Sequence, residues 1–410
     1  MAIVESSTVE RFEINFSDEV LADLRSRLRN TRWAPDPDNA DWHHGVPTAY
    51  LQSLVQYWLE EFDWRAAEAR IMAYDHFRTE VDGVPIHFMS KPGVGPNPIP
   101  LLLVHGWPWT FWDYSRVVDQ LADPSLDGGD PADAFDVIIP SVPGFAFSNP
   151  YADLDMNFVK IADLMHSMMT ERLGYPRFAA AGGDLGALVA AQLGHKYADS
   201  MYGIHLTHDI PLDLLQNERP WDVTGGAFVP EDASDELRED ILALTDTYAS
   251  HVAVHMLDGQ TLTHGLMDSP VGMLAWILER WHHWSDQRQN FDEVFPRDHL
   301  LTNATIWWAT GCIGPSLRHY SHYQHFPWKP SHDRKPQIEA PAGFTFYVGD
   351  QIPPGTRTVE ARKQAFLNGH SAEWFNTVHL SVTDAGGHFG PFENPKPFID
   401  GLRENFRTLR

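Results

Sequence analysis

The spacing of apolar residues divides the chain into segments with different periods. Within residues 1–75, apolar residues recur every three or four positions, a spacing that predicts amphipathic helices. One helix begins after Ser17, a residue type that caps helices, and a second runs from Thr48 to Phe62. Each predicted helix has a single apolar stripe, so this segment is expected to pack on another part of the molecule.

From Phe77 onward the pattern becomes that of strands. Asp82-Gly83 separates two extended runs within residues 77–90, which is typical of a hairpin. Short apolar runs then alternate with helical stretches, the strands at 99–105, 136–142, 178–183 and 201–207 and the helices at 155–173 and 185–197. Uninterrupted apolar strands are buried on both faces, so the alternation predicts a mostly parallel α/β sheet covered by helices.

The alternation stops at Pro211 and resumes after Pro341. The residues between them show helical spacing and are rich in Trp and His. Beyond Pro341 the pattern predicts strands at 344–348 and 378–382 and helices at 359–367 and 395–406. We therefore predict one α/β core formed by residues 76–210 and 341–410. Residues 211–340 are predicted to form a helical cap (lid) inserted into this core.

Composition and charge exclude several classes of partner. The 410 residues include 30 Lys and Arg against 56 Asp and Glu, a formal net charge of −26. Such a chain repels phosphate backbones and anionic lipids, which argues against nucleic-acid and membrane partners. The N-terminus lacks the features of a signal peptide, and no apolar run approaches the roughly 20 residues of a membrane span. Cys312 is the single cysteine, so no intrachain disulfide forms and a cytoplasmic location is expected.

The turn from Gly182 to Gly186 lies between a predicted strand and a predicted helix. Its pattern of small residues around a central position is typical of the nucleophile elbow of α/β-hydrolases, with Asp184 where esterases place Ser. Glycines at these positions let the strand and the helix pass closely, and the helix N-terminus favours a negative charge. The alternative interpretation is an aspartate that only caps the helix.

Two further loops fall where this fold places catalytic groups. His105-Gly106-Trp107-Pro108 follows the first long apolar strand, and the backbone N–H groups of Trp107 and Leu185 are candidates for an oxyanion hole. His388 stands in a Gly-rich loop before the last predicted helix, the position of the general base. Asp350, just after a predicted strand, is the preferred acid partner of His388, and Asp384 is the alternative.

With these residues, the chain closely resembles the microsomal-type epoxide hydrolases, especially their soluble bacterial relatives, over nearly its whole length. Segments 12–35, 141–148 and 268–272 also match. The resemblance implies an N-terminal meander, residues 1–75, wrapped around an α/β-hydrolase core under a helical cap. It also implies Asp184 as the nucleophile, His388 as the base and Asp350 as the charge partner.

The resemblance extends to the cap, where tyrosines of this family donate hydrogen bonds to the epoxide oxygen. One of them matches Tyr320. The position of the other is occupied by His251, with Tyr248 one helical turn earlier, so both are candidates for the second donor. Leu185 stands where the family usually has Trp beside the nucleophile.

An aspartate nucleophile favours substrates that are attacked at a saturated carbon. The product of that attack is an alkyl ester, which water can hydrolyse, whereas a serine would form a stable ether. We therefore predict an epoxide hydrolase that converts a small apolar epoxide and water to a vicinal diol without a cofactor or a metal. Self-association into a homo-oligomer is left open.

Three other functions are compatible with the same scaffold. A biosynthetic enzyme would open or cyclise an epoxide with an internal nucleophile. A haloalkane dehalogenase needs N–H donors for the halide, and Leu185 lacks the indole that usually supplies one. A non-catalytic binding protein would be expected to lose Asp184 or His388. The histidines at 319, 322, 325 and 282–283 lack the spacing and the carboxylate of a metal site.

Overall fold

The computed structural model describes residues 8–150, 155–216, 229–350 and 354–410, and within them nine strands form one sheet. The order across the sheet is β1-β2-β3-β5-β4-β6-β7-β8-β9. The strands are β1 Val9–Arg11, β2 Asp75–Val81, β3 Val84–Lys91, β4 Ile99–Val104, β5 Phe135–Pro140, β6 Phe178–Gly182, β7 Met201–Leu206, β8 Ile338–Tyr347 and β9 Phe375–Thr383. The pairs β1–β2, β2–β3 and β3–β5 are antiparallel. The pairs β5–β4, β4–β6, β6–β7, β7–β8 and β8–β9 are parallel.

The central strands are buried because their sequences are continuously apolar. Every residue of β4, β5 and β6 is buried, as expected for strands that helices cover on both faces. The helices that belong to this layer are α4 Val118–Ala122, α5 Phe158–Ser167, α6 Leu185–Lys196, α13 Val359–Asn368, α14 His370–Trp374, α15 Gly390–Glu393 and α16 Pro395–Arg407. The predicted parallel α/β core and the hairpin at Asp82-Gly83 are confirmed.

The N-terminal segment contributes helices and one strand. Its helices are α1 Asp18–Arg29, α2 Thr48–Glu60 and α3 Trp64–Ile71. The Ser17 side chain caps α1 by accepting the N–H of Val20, as predicted. The prediction of a mostly helical segment missed β1, which pairs with β2 and extends the sheet. A strand of three residues is too short to leave a period in the sequence.

The insertion is helical over its described residues. It holds α7 Asp235–Leu257, α8 Gly259–Asp268, α9 Pro270–Trp284, α10 Phe291–Val294, α11 Arg297–Thr310 and α12 Ile313–His325, which we call the cap helices. They pack on one another and on the N-terminal helices α1 to α3. Residues 217–228 of the predicted cap lie outside the described residues. The division of the chain into separate domains stays a prediction.

The sheet resumes earlier than predicted. β8 begins at Ile338, inside the predicted cap, whereas the sequence pattern placed this strand at 344–348. Pro341 and Gly343 disguise its first half, because both residues weaken a strand assignment. The strand accommodates them through irregular register with β9 at these positions. Among the described helices, none is both long and apolar enough to cross a lipid bilayer.

Candidate active site

Asp184 stands at a strained turn between β6 and α6. Its backbone angles are φ 53° and ψ −128°, a conformation that residues other than Gly rarely adopt. The turn is tight because Gly186 lies against the carbonyl of Val104 in β4, so that a Cβ at Gly186 would overlap this oxygen. Such backbone strain costs on the order of 1–3 kcal/mol and is typical of functional sites. The geometry is that of a nucleophile elbow, not of a helix-capping aspartate, since the Asp184 side chain makes no capping bond to α6.

The loop after β4 supplies a donor to the nucleophile. The backbone N–H of Trp107 donates to Oδ1 of Asp184 at 2.9 Å. Leu185 is the first residue of α6, so its N–H has no acceptor within the helix. The structure therefore brings the predicted oxyanion-hole residues to either side of Asp184.

His388 reaches the same carboxylate from the loop before α15. Its Nε2 lies 3.8 Å from Oδ2 of Asp184 and has no hydrogen-bond partner among the described residues. Burial and the nearby His208 lower the pKa of His388 to about 4, although Asp350 and Asp184 oppose the shift. The ring is therefore neutral at pH 7, which is the state that a general base requires.

Hydrogen bonds fix the backbone around His388. The carboxylate of Glu393 accepts the N–H groups of Gly387, Phe389 and Asp286 at 3.0, 2.9 and 2.8 Å. The N–H of His388 itself donates to the carbonyl of Trp284, at the end of α9. Burial and the neighbouring Asp286 raise the pKa of Glu393 to about 8, although these amide bonds oppose the rise. His388 is thus held by the buried side chain of Glu393 on one side and by a cap helix on the other.

Asp350 lies at the site but is bonded to a different histidine. Its Oδ2 is 3.0 Å from Nε2 of His208. A carboxylate oxygen of Asp350 and a ring nitrogen of His388 lie within 4.8 Å of each other. Burial opposes the ionisation of Asp350, but the His208 hydrogen bond and the nearby His388 and Arg362 hold its pKa below the usual value. The alternative acid, Asp384, has a side chain 78% exposed and pairs with a surface arginine.

His208 is the residue of this site that the sequence did not predict. It follows β7 by two positions and is buried, with its Nδ1 accepting the backbone N–H of Asp184 at 2.9 Å. Polar side chains just after a parallel strand gather at one edge of the sheet. A search of the residues that follow each predicted strand would have found it.

One group of described residues has metal-ligand spacing, namely His208, Asp350 and His388, whose binding atoms lie within 4.8 Å of one another. The hydrogen bonds of His208 do not suit a metal, because Nδ1 accepts an N–H and Nε2 must then carry the proton that Asp350 accepts. The buried His319 and His322 bond to the carbonyls of Pro143 and Met156.

The cap places aromatic rings above the nucleophile. Tyr320 is 9% exposed and meets the rings of Trp107 and His251 edge-on, at centroid distances of 6.3 and 5.4 Å. Burial and the charge of Asp184 raise the pKa of Tyr320 well above 10, so its O–H stays protonated. The same holds for Tyr323, one helical turn later.

The two candidates for the second donor occupy different positions. His251 stacks on Trp107, with 5.5 Å between the centroids, and burial lowers its pKa well below 6.5. It is therefore neutral and keeps one ring N–H to donate. Tyr248 is a half-buried residue at the edge of the core. Proximity to Trp107 and Tyr320 favours His251.

Comparison with known proteins agrees with this geometry. A sequence profile described as epoxide hydrolase N terminus matches residues 9–114, and one described as alpha/beta hydrolase fold matches residues 99–311. A protein of Stigmatella aurantiaca (strain DW4/3-1) named "Putative epoxide hydrolase" is 33% identical, over 97% of this chain and 85% of its own length. The chain belongs to the epoxide hydrolase family. The resemblance and the fold class predicted from the sequence are confirmed.

More distant members of the family share the whole architecture. Epoxide hydrolase 1 of Oryctolagus cuniculus is 28% identical over 96% of this chain and 87% of its own length. The structure of an enantioselective mutant of the epoxide hydrolase from Aspergillus niger aligns with a TM-score of 0.77 at 26% identity, covering 100% of this chain and 98% of that one. This hydrolase therefore has the α/β-hydrolase fold.

Glu393→Gln tests how the His388 loop is held. A glutamine keeps one acceptor oxygen and turns an NH2 group toward a backbone N–H, so we expect a loss of about 1–3 kcal/mol in stability. A shift of His388 by about 1 Å is expected to slow turnover roughly a hundredfold. Calorimetric unfolding and steady-state diol formation measure the two effects. Glu404→Gln, whose side chain is 59% exposed, is the matched control, and equal behaviour of the two variants would contradict the assignment.

Proposed function

We propose that this hydrolase opens an oxirane through a covalent ester on Asp184 and then hydrolyses that ester to release a vicinal diol. The observation that carries the proposal is a carboxylate on a strained turn, 3.8 Å from a neutral imidazole and beneath a buried tyrosine. Family membership supports the substrate class. The aspartate supports the covalent route, because an ester formed at a saturated carbon can be cleaved again at its carbonyl.

In the first step, Oδ2 of Asp184 attacks one oxirane carbon and the C–O bond on the opposite side breaks. The oxygen that leaves acquires negative charge, and a proton donor above the nucleophile stabilises it. Tyr320 is the proposed donor, and His251 is the second one, with Tyr248 as the alternative. Asp184 needs no base for this step because it attacks as a carboxylate.

In the second step, His388 removes a proton from a water molecule, and the resulting hydroxide attacks the carbonyl carbon of the Asp184 ester. The N–H groups of Trp107 and Leu185 are proposed to stabilise the tetrahedral oxyanion, a contribution of about 3–4 kcal/mol per donor in other enzymes. Asp350 stabilises the imidazolium that forms on His388. Collapse of the intermediate expels the diol alkoxide, which the imidazolium protonates. The second proton of the water leaves the Asp184 carboxyl group and replaces the proton that the cap donor gave to the ring oxygen in the first step.

The surroundings of Asp184 support a small apolar substrate. The side chains of Trp107, Trp284 and Tyr323 are buried, apolar over most of their surface, and close to the site. Several relatives of 25–27% identity are named juvenile hormone epoxide hydrolases, for example that of Bombyx mori. We propose an apolar epoxide and water as the partners of this enzyme, and no cofactor.

An isotope experiment tests the covalent route. After a single turnover in ¹⁸O-labelled water, mass spectrometry is expected to find the label in the Asp184 carboxylate, since water attacks the ester carbonyl. His388→Gln is expected to accumulate an adduct of the mass of the epoxide on the peptide that contains Asp184. Asp184→Asn is the control that is expected to be inactive, and Asp384→Asn is the control that is expected to stay active. Label found only in the diol after one turnover would exclude the ester.

The pH dependence of ester hydrolysis tests the state of His388. The base works when neutral, and its pKa is lowered to about 4, so the single-turnover rate of hydrolysis is expected to rise with pH through about 4 and to stay level from there to neutral pH. Rapid-quench measurements from about pH 3.5 to about pH 8 would show this, because the interval includes both the lowered pKa of about 4 and the usual histidine pKa of about 6.5. An inflection near 6.5 with the fold intact by circular dichroism would contradict the prediction.

Substitutions in the cap test the oxirane-oxygen donors. Tyr320→Phe removes a proton donor and keeps the ring, so we expect ring opening to slow by about a hundredfold while hydrolysis of the ester changes little. His251→Phe is expected to have a smaller effect in the same direction. Tyr323→Phe is the matched control, and a larger effect of Tyr248→Phe than of His251→Phe would assign the second donor to Tyr248. Burst-phase measurement of ester formation separates the two steps. If Tyr323→Phe slowed ring opening more than Tyr320→Phe, Tyr323 would be the donor to the oxirane oxygen instead of Tyr320.

A further inference from the structure

We infer that His208 is a positioning residue whose single ring couples the nucleophile to the charge partner of the base. Its two nitrogens contact the backbone N–H of Asp184 and the carboxylate of Asp350, at 2.9 and 3.0 Å. The inference deepens the proposed two-step reaction and rests on it. It assigns a role to a residue that forms no bond with the reacting atoms.

The two hydrogen bonds determine which ring nitrogen of His208 carries the N–H. A backbone N–H is a donor only, so Nδ1 must offer its lone pair to the N–H of Asp184. The proton of the neutral ring is then on Nε2, where it points at Oδ2 of Asp350. The ring therefore joins the elbow to the acid, with a lone pair toward Asp184 and an N–H toward Asp350.

The sheet register explains why His208 reaches the elbow. β6 and β7 are parallel neighbours with Gly182 opposite Leu206, so the residues two positions beyond them, Asp184 and His208, lie side by side. Gly183 lets the His208 ring approach the backbone of the elbow, because it has no side chain in the way. A Cβ on this glycine would lie 2.8 Å from Nδ1 and 3.0 Å from Cε1 of His208, closer than such contacts allow.

The contact with the elbow concerns ring opening. Asp184 adopts a strained backbone conformation, and a hydrogen bond to its N–H fixes the rotation of that peptide. This rotation sets the direction from which the carboxylate meets the oxirane. Removing the acceptor at Nδ1 should therefore disturb the attack by Asp184 and leave the acid in place.

The contact with Asp350 concerns ester hydrolysis. Asp350 lies near two imidazoles, those of His208 and His388, whose centroids are 4.5 Å apart. One carboxylate oxygen is held by His208, which leaves the other for the imidazolium that forms on His388 in the second step. Removing the donor at Nε2 should therefore release Asp350 and impair the second step.

Two substitutions separate these contacts. Asparagine is short and places its side-chain oxygen near the position of Nδ1, so His208→Asn keeps an acceptor for the Asp184 N–H and loses the donor to Asp350. Glutamine is one methylene longer and places its amide near the position of Nε2, so His208→Gln keeps a donor to Asp350 and loses the other contact. A residue that merely fills space would not distinguish the two amides.

The experiment measures both half-reactions by rapid quench and mass spectrometry of the Asp184 peptide. The probes are styrene oxide, limonene oxide and epoxystearic acid, and the one that wild type opens fastest is used for the variants. For His208→Asn we expect ring opening within about threefold of wild type, ester hydrolysis slowed about tenfold to a hundredfold, and accumulated ester. For His208→Gln we expect the reverse, with ring opening slowed by about the same factor and no accumulation.

The matched control is His205, three residues earlier on β7. It is also buried, and its Nε2 bonds to Oγ1 of Thr345, away from the elbow. His205→Asn and His205→Gln are expected to lower stability without changing the ratio of the two rates. If both His208 variants slow both steps equally, or if the His205 variants shift the ratio as much, the role of His208 is overturned. If none of the probes alkylates Asp184 in wild type, the two-step function falls, and this inference with it.

Discussion

The backbone strain at Asp184 is the constraint on which the rest of the site depends. A residue with φ 53° persists only where the surroundings fix it. Here they do so from several sides, because β4 lies against the glycine that follows, the loop at Trp107 donates to the side chain, and His208 accepts from the backbone. The same contacts that stabilise this conformation aim the carboxylate away from the helix and toward the cap. Strain and function thus have one structural origin.

The site is built from both parts of the chain that surround the sheet edge. Loops of the predicted core supply Asp184, His388 and Asp350, the proposed nucleophile, base and acid, and the cap helices supply Tyr320, His251 and the rings next to them. Buried rings surround Asp184 and leave 25% of its side chain exposed, and this limited contact with water strengthens the hydrogen bonds and charges that act there. A neutral His388 is a consequence of the same burial, since the desolvated ring resists protonation.

Much of the fold was predictable from the sequence because its signals are local. The apolar strands β4 to β7 and the helix that follows Asp184 leave clear periods, and the elbow has a spacing that few other turns share. The first half of β8 was not predictable, since Pro341 hides it. His208 was missed although it stands just after a predicted strand, where polar residues gather at one edge of the sheet. Glu393 was missed because its bonds to Gly387, Phe389 and Asp286 appear only in the folded chain, and a buried carboxyl group leaves no local pattern.

The same limit applies to the acid. Chain order selects Asp350 over Asp384, and the exposure of Asp384 agrees with that choice. Chain order does not reveal that His208, as well as His388, lies next to the Asp350 carboxylate. Similarly, the exchange of a tyrosine for His251 is visible in the sequence, but its stacking on Trp107 is not.

The bond between the carbonyl of Trp284 and the N–H of His388 joins the last turn of a cap helix to the loop of the base. Asp286, just beyond that helix, also accepts the N–H of Gly386. Helix α9 and the loop of His388 are therefore tied together. A chimera that takes these helices from a relative keeps the backbone bond at position 284 whatever residue stands there, but it needs a carboxylate at position 286 to bind the N–H of Gly386.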